Sequence, residues 1–240
     1  NIGVEIQGVD LSKKVPDSLF NEIRDAFVEN GLIFFRDQNL TPEEHIRFAE
    51  QWGKININRF FAKVDGYDQI AEVRKEPAQE GNIGGEWHTD HSYDQIPALG
   101  SILLAKETPR NGGDTLFASM YKAYESLSNG MKETLEGLNA IHSSRHVFGI
   151  DSGYSKSSKG RIRSPELATQ DAIHPVIITH PESKKKALYV NSTFTLRFDG
   201  WTAEESKPLL NYLYDHAANE ENITRFQWSP GSIAFWDNRC

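Results

Sequence analysis

Cysteine is scarce in this chain, with one in 240 residues. Cys240 has no partner for an internal disulfide, so the fold must rest on its hydrophobic core, and a reducing cytoplasm suits it. The chain also lacks any apolar run near the ~18 residues that a membrane span needs. Its start carries no charged-then-apolar leader pattern, so neither membrane insertion nor secretion is expected. Positive charge is in deficit: 26 Lys and Arg against 34 Asp and Glu give a net charge of −8, which argues against nucleic acid or an anionic membrane as partner. No internal repeat is visible. What remains is an ordinary soluble composition, 38% hydrophobic and 25% charged, in a chain long enough for one well-buried domain over residues 1–240. The chain opens on Asn1 rather than Met and stops at Cys240 within a segment that reads as a strand. A short N-terminal piece and the C-terminal end are therefore expected to be missing from it.

Residues 3–7 alternate like a strand, and 16–30 carry Leu19, Phe20, Ile23 and Phe27 at helical spacing before Gly31. Residues 32–35 read as a buried strand. Thr41-Pro42-Glu43-Glu44 and Thr202-Ala203-Glu204-Glu205 are capping boxes that open helices reaching about residue 52 and about residue 218. Further strands are expected at 99–105, 115–118, 176–179, 187–190, 226–228 and 232–236, with a helical pair across 120–138. Residues 76–86 read as a polar, glycine-bearing mobile loop able to serve as a lid, and 149–171 as an exposed, partly disordered excursion. Many short strands with a few helices around them predict a mainly β fold with flanking helices, of jelly-roll type.

The segment richest in chemistry is Trp87-His88-Thr89-Asp90-His91-Ser92-Tyr93. In an extended strand, side chains at i and i+2 share a face, so His88 and Asp90 are expected to grip one ion together while His91 points away from Asp90. A mononuclear non-haem iron oxygenase takes two His and one carboxylate on one face of an octahedron, and this pair supplies two of those three. Chance alone provides roughly half a His-x-Asp in such a chain, so the motif depends on its companions. Two other classes stay open at this point: a jelly-roll binding protein without catalysis, and a zinc hydrolase using His88 and Asp90 with Glu86 nearby as base. Among the remaining histidines, His142 and His146 flank Arg145, His174 and His180 adjoin prolines at hairpin-like edges, and His45 and His216 fall on predicted helices. None of them reads as a better ligand.

Three further segments follow in order: Gly112-Gly113-Asp114-Thr115, then Ala187-Leu188-Tyr189-Val190-Asn191 with Phe194-Thr195, then Trp236-Asp237-Asn238-Arg239. Together with Trp87-His88-Thr89-Asp90 they resemble the taurine dioxygenase and 2,4-dichlorophenoxyacetate dioxygenase family of Fe(II)- and 2-oxoglutarate-dependent oxygenases. The resemblance implies a double-stranded β-helix in which His88 and Asp90 are catalytic ligands of Fe(II), and Thr115 contacts a carboxylate of the cosubstrate 2-oxoglutarate (α-ketoglutarate). It implies O2 and a small-molecule substrate as partners, succinate and CO2 as products, hydroxylation of the substrate, and association into homo-oligomers. Asp90 is also what separates such a hydroxylase from related halogenases. Phe148 and Phe194 match aromatic residues that wall the substrate pocket. By the family spacing the third iron ligand, a His, falls at the third residue beyond Cys240, and an arginine for 2-oxoglutarate falls further on. Where taurine enzymes carry a His and a Tyr, this chain has Asn58 and Phe61, and Gly84 stands at the position of a further amide. Taurine itself is thereby disfavoured. His91, Arg59 and Arg145 are candidate contacts for an anionic group, which points to a small anionic substrate of phenoxyalkanoate, alkyl sulfate or sulfonate type.

Overall fold

Four consecutive apolar residues at Leu32–Phe35 leave this strand no polar face, and such a strand has to be covered on both sides. The computed structural model describes residues 2–79, 82–153 and 161–240. It places this strand, β2, between β1 (Val4–Glu5) and β13 (Ile233–Asp237), with β5 (Gly100–Leu104) on the far side of β13. One face of this four-stranded sheet receives the helices Asp17–Asn30 and Pro42–Glu50, whose Ile23, Phe27 and Phe48 are buried against Ile33, Phe35 and Phe235. Phe27 stacks on Phe235 with centroids 4.2 Å apart, and Trp52 meets the same ring edge-on at 4.6 Å. The other face, formed by Leu32, Phe34 and Ala234, is closed by Phe226 from β12 (Ile223–Phe226), which pairs antiparallel with β6 (Thr115–Ala118).

A second core lies under the helix Ala203–Ala217. Its Leu210 and Leu213 pack with Phe198, Ala140, Val176 and Leu188. Those residues come from the antiparallel sheet of β7 (Asn139–Ser143), β8 (Asp171–Pro175) and β11 (Thr195–Phe198), and from the hairpin of β9 (Ile177–Thr179) and β10 (Lys186–Leu188) or its flank. Both capping boxes form: Thr41 with Glu44 and Thr202 with Glu205 satisfy the first orphan N–H groups of their helices reciprocally. Among the described residues no helix is long and apolar enough to cross a membrane.

Several expectations change. β3 (Ala62–Val64) and β4 (Tyr67–Glu72) form a hairpin that was not anticipated, because neither strand is buried on a clean alternating face. β7 and β8 turn His142 and His174 inward, so the polar residues at buried positions hid the period-2 pattern. Residues 149–171 are not one exposed excursion. Ile162 bridges to Phe61, and Ile162 and Ala168 are buried in a cluster with Phe60, Tyr93, Phe148 and Phe194. Residues 154–160 of that stretch, and 80–81 of the expected lid loop, lie outside the described residues. β13 ends at Asp237, and residues 238–240 do not continue it.

Two inward-facing histidines, His142 buried and His45 half-buried, set an acid limit on stability. Burial, reinforced by the charge of His174, lowers His142 from the ordinary 6.5 to about 3, and burial with Lys106 nearby lowers His45 to about 4. Both are neutral in the folded protein, while the unfolded chain takes up a proton at each near pH 6.5. Their contribution is complete above pH 6.5 and is lost as pH falls through 4 towards 3. The midpoint of thermal unfolding, followed from pH 7 to pH 4, is expected to fall, and His142→Gln should make that fall shallower. Parallel pH profiles for the two proteins would contradict this assignment.

Candidate metal centre

His88 and Asp90 lie in an irregular turn entering β5, not in the extended strand the spacing suggested. They converge nonetheless. His88 Nδ1 is 2.7 Å from the Glu86 carbonyl oxygen, which can only accept, so Nδ1 carries the proton and donates. Nε2 then presents its lone pair, 3.5 Å from Asp90 Oδ1. Two acceptor atoms this close require a cation between them, either a proton or a metal ion. Neighbouring donors on an ion bound at ~2.1 Å lie about 3.0 Å apart at an octahedral angle and about 3.4 Å at a tetrahedral one, so a small closure suffices. Imidazole whose other nitrogen donates to a carbonyl is the usual form of a metal ligand. The residues present therefore fit a divalent ion such as Fe(II).

Burial works against a charged imidazole at His88, but the hydrogen bond and charge of Asp90 outweigh it and hold His88 above its ordinary value. Burial likewise pushes Asp90 up, and the hydrogen bond and charge of His88, with the Ser101 hydroxyl, outweigh it and keep the carboxylate low. Both side chains remain about 30% exposed, so ligands can reach the pair.

The turn is held from outside. Ser192 Oγ and Thr193 Oγ1 both donate to the Trp87 carbonyl, at 3.0 and 2.9 Å, and Asn191 Nδ2 donates to Ser92 Oγ at 3.2 Å. Residues 191–193 thus hold the segment 87–92 at both ends. Gly84, with φ of +68°, brings its backbone against the His88 ring, where an added Cβ would stand 3.2 Å from Cε1.

His91 follows in the left-handed region, φ 60°, which reverses the chain after Asp90. It is buried rather than a surface residue: Nδ1 lies 2.8 Å from Asp94 Oδ2, and Arg59 Nη2 donates to Asp94 Oδ1 at 2.6 Å. Arg145 pairs with Asp171 at 3.1 Å on an exposed surface. Phe194 meets the His88 ring edge-on at 6.3 Å and continues into Tyr93 and Phe148, giving His88 an apolar wall on that side. Asn58 turns its Oδ1 to the backbone N–H groups of Phe60 and Phe61, at 2.8 and 3.1 Å. Thr115, on β6, accepts from Trp228 Nε1 at 2.9 Å. No contact joins Thr115 to His88 or Asp90 among the described residues.

Behind Phe61 lies an open cavity of about 500 Å³ lined by Arg59, Lys63, Arg163, Asn58, Ile57 and Leu167, among others. Phe61 also touches Phe148 at 6.2 Å between centroids, so the cavity abuts the aromatic cluster that walls His88. Lys63 is paired with Asp68 at 3.0 Å, whereas Arg163 has no ion-pair partner among the described residues.

A second group of donor atoms, His180, Asp237 and Cys240, lies within 4.8 Å. Its hydrogen bonding excludes a metal role. His180 Nδ1 accepts from the N–H groups of Glu182 and Ser183, at 3.2 and 3.0 Å, so Nε2 carries the proton and donates to Asp237 Oδ2 at 3.0 Å. Arg239 engages both Asp237 oxygens, through its backbone N–H, Nε and Nη2. Burial pushes the Cys240 thiol up to about 12. The group is a saturated internal latch. Sequence reasoning had set His180 at a hairpin edge; its neighbour Pro181 carried no signal that the imidazole is fully buried.

With this geometry established, three comparisons bear on it. A model of the family described as taurine catabolism dioxygenase TauD, TfdA matches residues 1–240. An alkylsulfatase of Acinetobacter baylyi is 35% identical over 242 residues, covering 99% of this chain and 75% of the relative. The α-ketoglutarate-dependent 2,4-dichlorophenoxyacetate dioxygenase of Cupriavidus pinatubonensis is 30% identical over 254 residues, covering 98% and 85%. The crystal structure of a taurine dioxygenase from Burkholderia xenovorans is similar with a TM-score of 0.82 at 33% identity, covering 100% of this chain and 77% of that one. The chain spans 75% of the length of that alkylsulfatase, 85% of that 2,4-dichlorophenoxyacetate dioxygenase and 59% of an α-ketoglutarate-dependent sulfonate dioxygenase of Saccharomyces cerevisiae.

Proposed function

Because the chain belongs to the TauD, TfdA family of Fe(II)- and 2-oxoglutarate-dependent dioxygenases, we propose that His88 and Asp90 hold its iron and that it hydroxylates a small anionic organic molecule. A further imidazole donor, which the family spacing sets after Cys240, completes the ligand set in this reading, and Thr115 takes a carboxylate of 2-oxoglutarate. The observation that carries the proposal is the convergence of His88 Nε2 and Asp90 Oδ1 at 3.5 Å, with their outer atoms tied to Glu86 and Ser101. We read the four-stranded and three-stranded sheets as parts of a double-stranded β-helix. Fe(II) with 2-oxoglutarate and O2 supplies oxidative decarboxylation to succinate and CO2, coupled to insertion of oxygen into a substrate C–H bond. The chain's own residues orient and shield. His88 and Asp90 fix the metal face, the ring of Phe194 shields one side of it, and Phe148 and Tyr93 back that wall. This activity is assigned to the cytoplasm and to a homo-oligomer, in keeping with the single cysteine and the family's habit.

The relatives' names span alkyl sulfate, sulfonate and phenoxyalkanoate chemistry, which share an anionic head on an organic body. The cavity behind Phe61 matches that description, with Arg163 and Lys63 beside Phe61, Ile57 and Leu167. Asn58 is committed to its own turn, which removes a polar contact that taurine would use. Native protein with Fe(II), 2-oxoglutarate and O2 should form succinate slowly alone and faster with an alkyl sulfate or phenoxyalkanoate, with taurine the weaker stimulant. No binding of 2-oxoglutarate and no succinate under any of these conditions would overturn the reading. Arg163→Ala is expected to raise KM for the anionic substrate several-fold with kcat nearly unchanged, because an exposed cation contributes binding but no chemistry.

A further inference from the structure

We propose that Ser101 is a positioning residue that fixes how Asp90 presents its carboxylate; this rests on the metal reading of His88 and Asp90. Ser101 Oγ donates to Asp90 Oδ2 at 2.7 Å, while Oδ1 is the oxygen that faces His88 Nε2. With Oδ2 engaged by a hydroxyl, one oxygen is left for an ion. A carboxylate held this way would offer Oδ1 to an ion, and the hydroxyl on Oδ2 would disfavour a swing to a two-oxygen grip.

The hydroxyl is itself fixed. Ser101 sits on β5 opposite Trp236 of β13. At the preceding Gly100 any Cβ would run into the Trp236 carbonyl, so the two strands close tightly at this point. Asn238, 2% exposed, donates through Nδ2 to the Ala98 carbonyl at 3.2 Å and reaches Ser101 Oγ at 3.4 Å. A hydroxyl has one proton and two lone pairs. Receiving the Asn238 amide on a lone pair directs the Ser101 proton to Asp90. The order of donation is Asn238 to Ser101 to Asp90, and it links the segment after β13 to the metal pair.

The test compares the native protein with Ser101→Ala and Ser101→Thr by anaerobic Mn(II) titration in the presence of 2-oxoglutarate. Thermal unfolding serves as the control for folding, and the ratio of succinate formed to substrate hydroxylated is the second readout. Ser101→Ala is expected to bind Mn(II) about 10- to 100-fold more weakly, the range for losing a partner of a metal ligand. It should also form more succinate per substrate hydroxylated, with its unfolding midpoint nearly unchanged. Ser101→Thr, which keeps the hydroxyl, should restore both. An alanine variant that binds Mn(II) within twofold of the parent overturns the role of Ser101 while leaving the metal pair standing. Equal losses in Ala and Thr overturn it in favour of packing. Failure of the parent itself to bind Mn(II) removes the metal reading and this inference with it.

Discussion

His88→Ala is expected to eliminate succinate formation while moving the melting temperature by only a few degrees. His88 stands on a turn, 30% exposed, and its hydrogen bonds are one to the Glu86 carbonyl and one across to Asp90. Losing a partly exposed hydrogen bond costs about 1 kcal/mol, or roughly 2–4 °C in a chain of this size. Its proposed chemical role is of another order, because without Nε2 an ion would lose a donor offered beside Asp90. Asp90→Ala should behave alike in turnover. Circular dichroism and thermal unfolding beside a succinate assay separate the two effects. Collapse of the fold in His88→Ala would instead mark the motif as structural, and undiminished succinate formation would remove His88 from the site.

The largest loss of stability is expected at Asp237→Ala. The Asp237 carboxylate is fully buried, accepting from His180 and Arg239, and although burial pushes it up, these partners outweigh that and hold it below the usual carboxylate range. Removing it strands the Arg239 guanidinium and the protonated Nε2 of His180 without their acceptor. Breaking one side of such a pair costs about 3–5 kcal/mol. Urea unfolding of parent and variant gives the difference directly, and a change below about 1 kcal/mol would contradict the latch. The same experiment separates the latch from a metal site. A saturated hydrogen-bond network has no lone pair to offer, so His180→Gln should leave Mn(II) binding unaltered.

Much of the scaffold was legible because its local chemistry is unambiguous. The all-apolar strand at residues 32–35 and the capping boxes at Thr41 and Thr202 appear as read. The convergence of His88 and Asp90 was legible for a reason only partly right. His88 and Asp90 were expected to share a face by the period of a strand, yet they meet through a turn closed by His91 in the left-handed region. A non-glycine residue there gives no sign in sequence, and its supports, Asp94 and Arg59, are identifiable only once the chain is folded. Ser101 was invisible for a similar reason. A serine eleven residues after an aspartate carries no pattern, and its meaning comes from β5 and β13 closing beside the turn. His174 and His180 were placed at hairpin-like edges because each adjoins a proline, whereas the fold buries both with a hydrogen-bond partner, as it does His142 beside Arg145.

The most direct test of the central claim is an anaerobic titration of native protein with Fe(II) in the presence of 2-oxoglutarate, following the visible charge-transfer absorption of an iron–keto acid chelate. Iron held by His88 and Asp90 predicts a band that saturates in the parent, persists in His180→Gln and is absent from His88→Ala and Asp90→Ala. A band of equal strength in His88→Ala, or none in the parent, would contradict it.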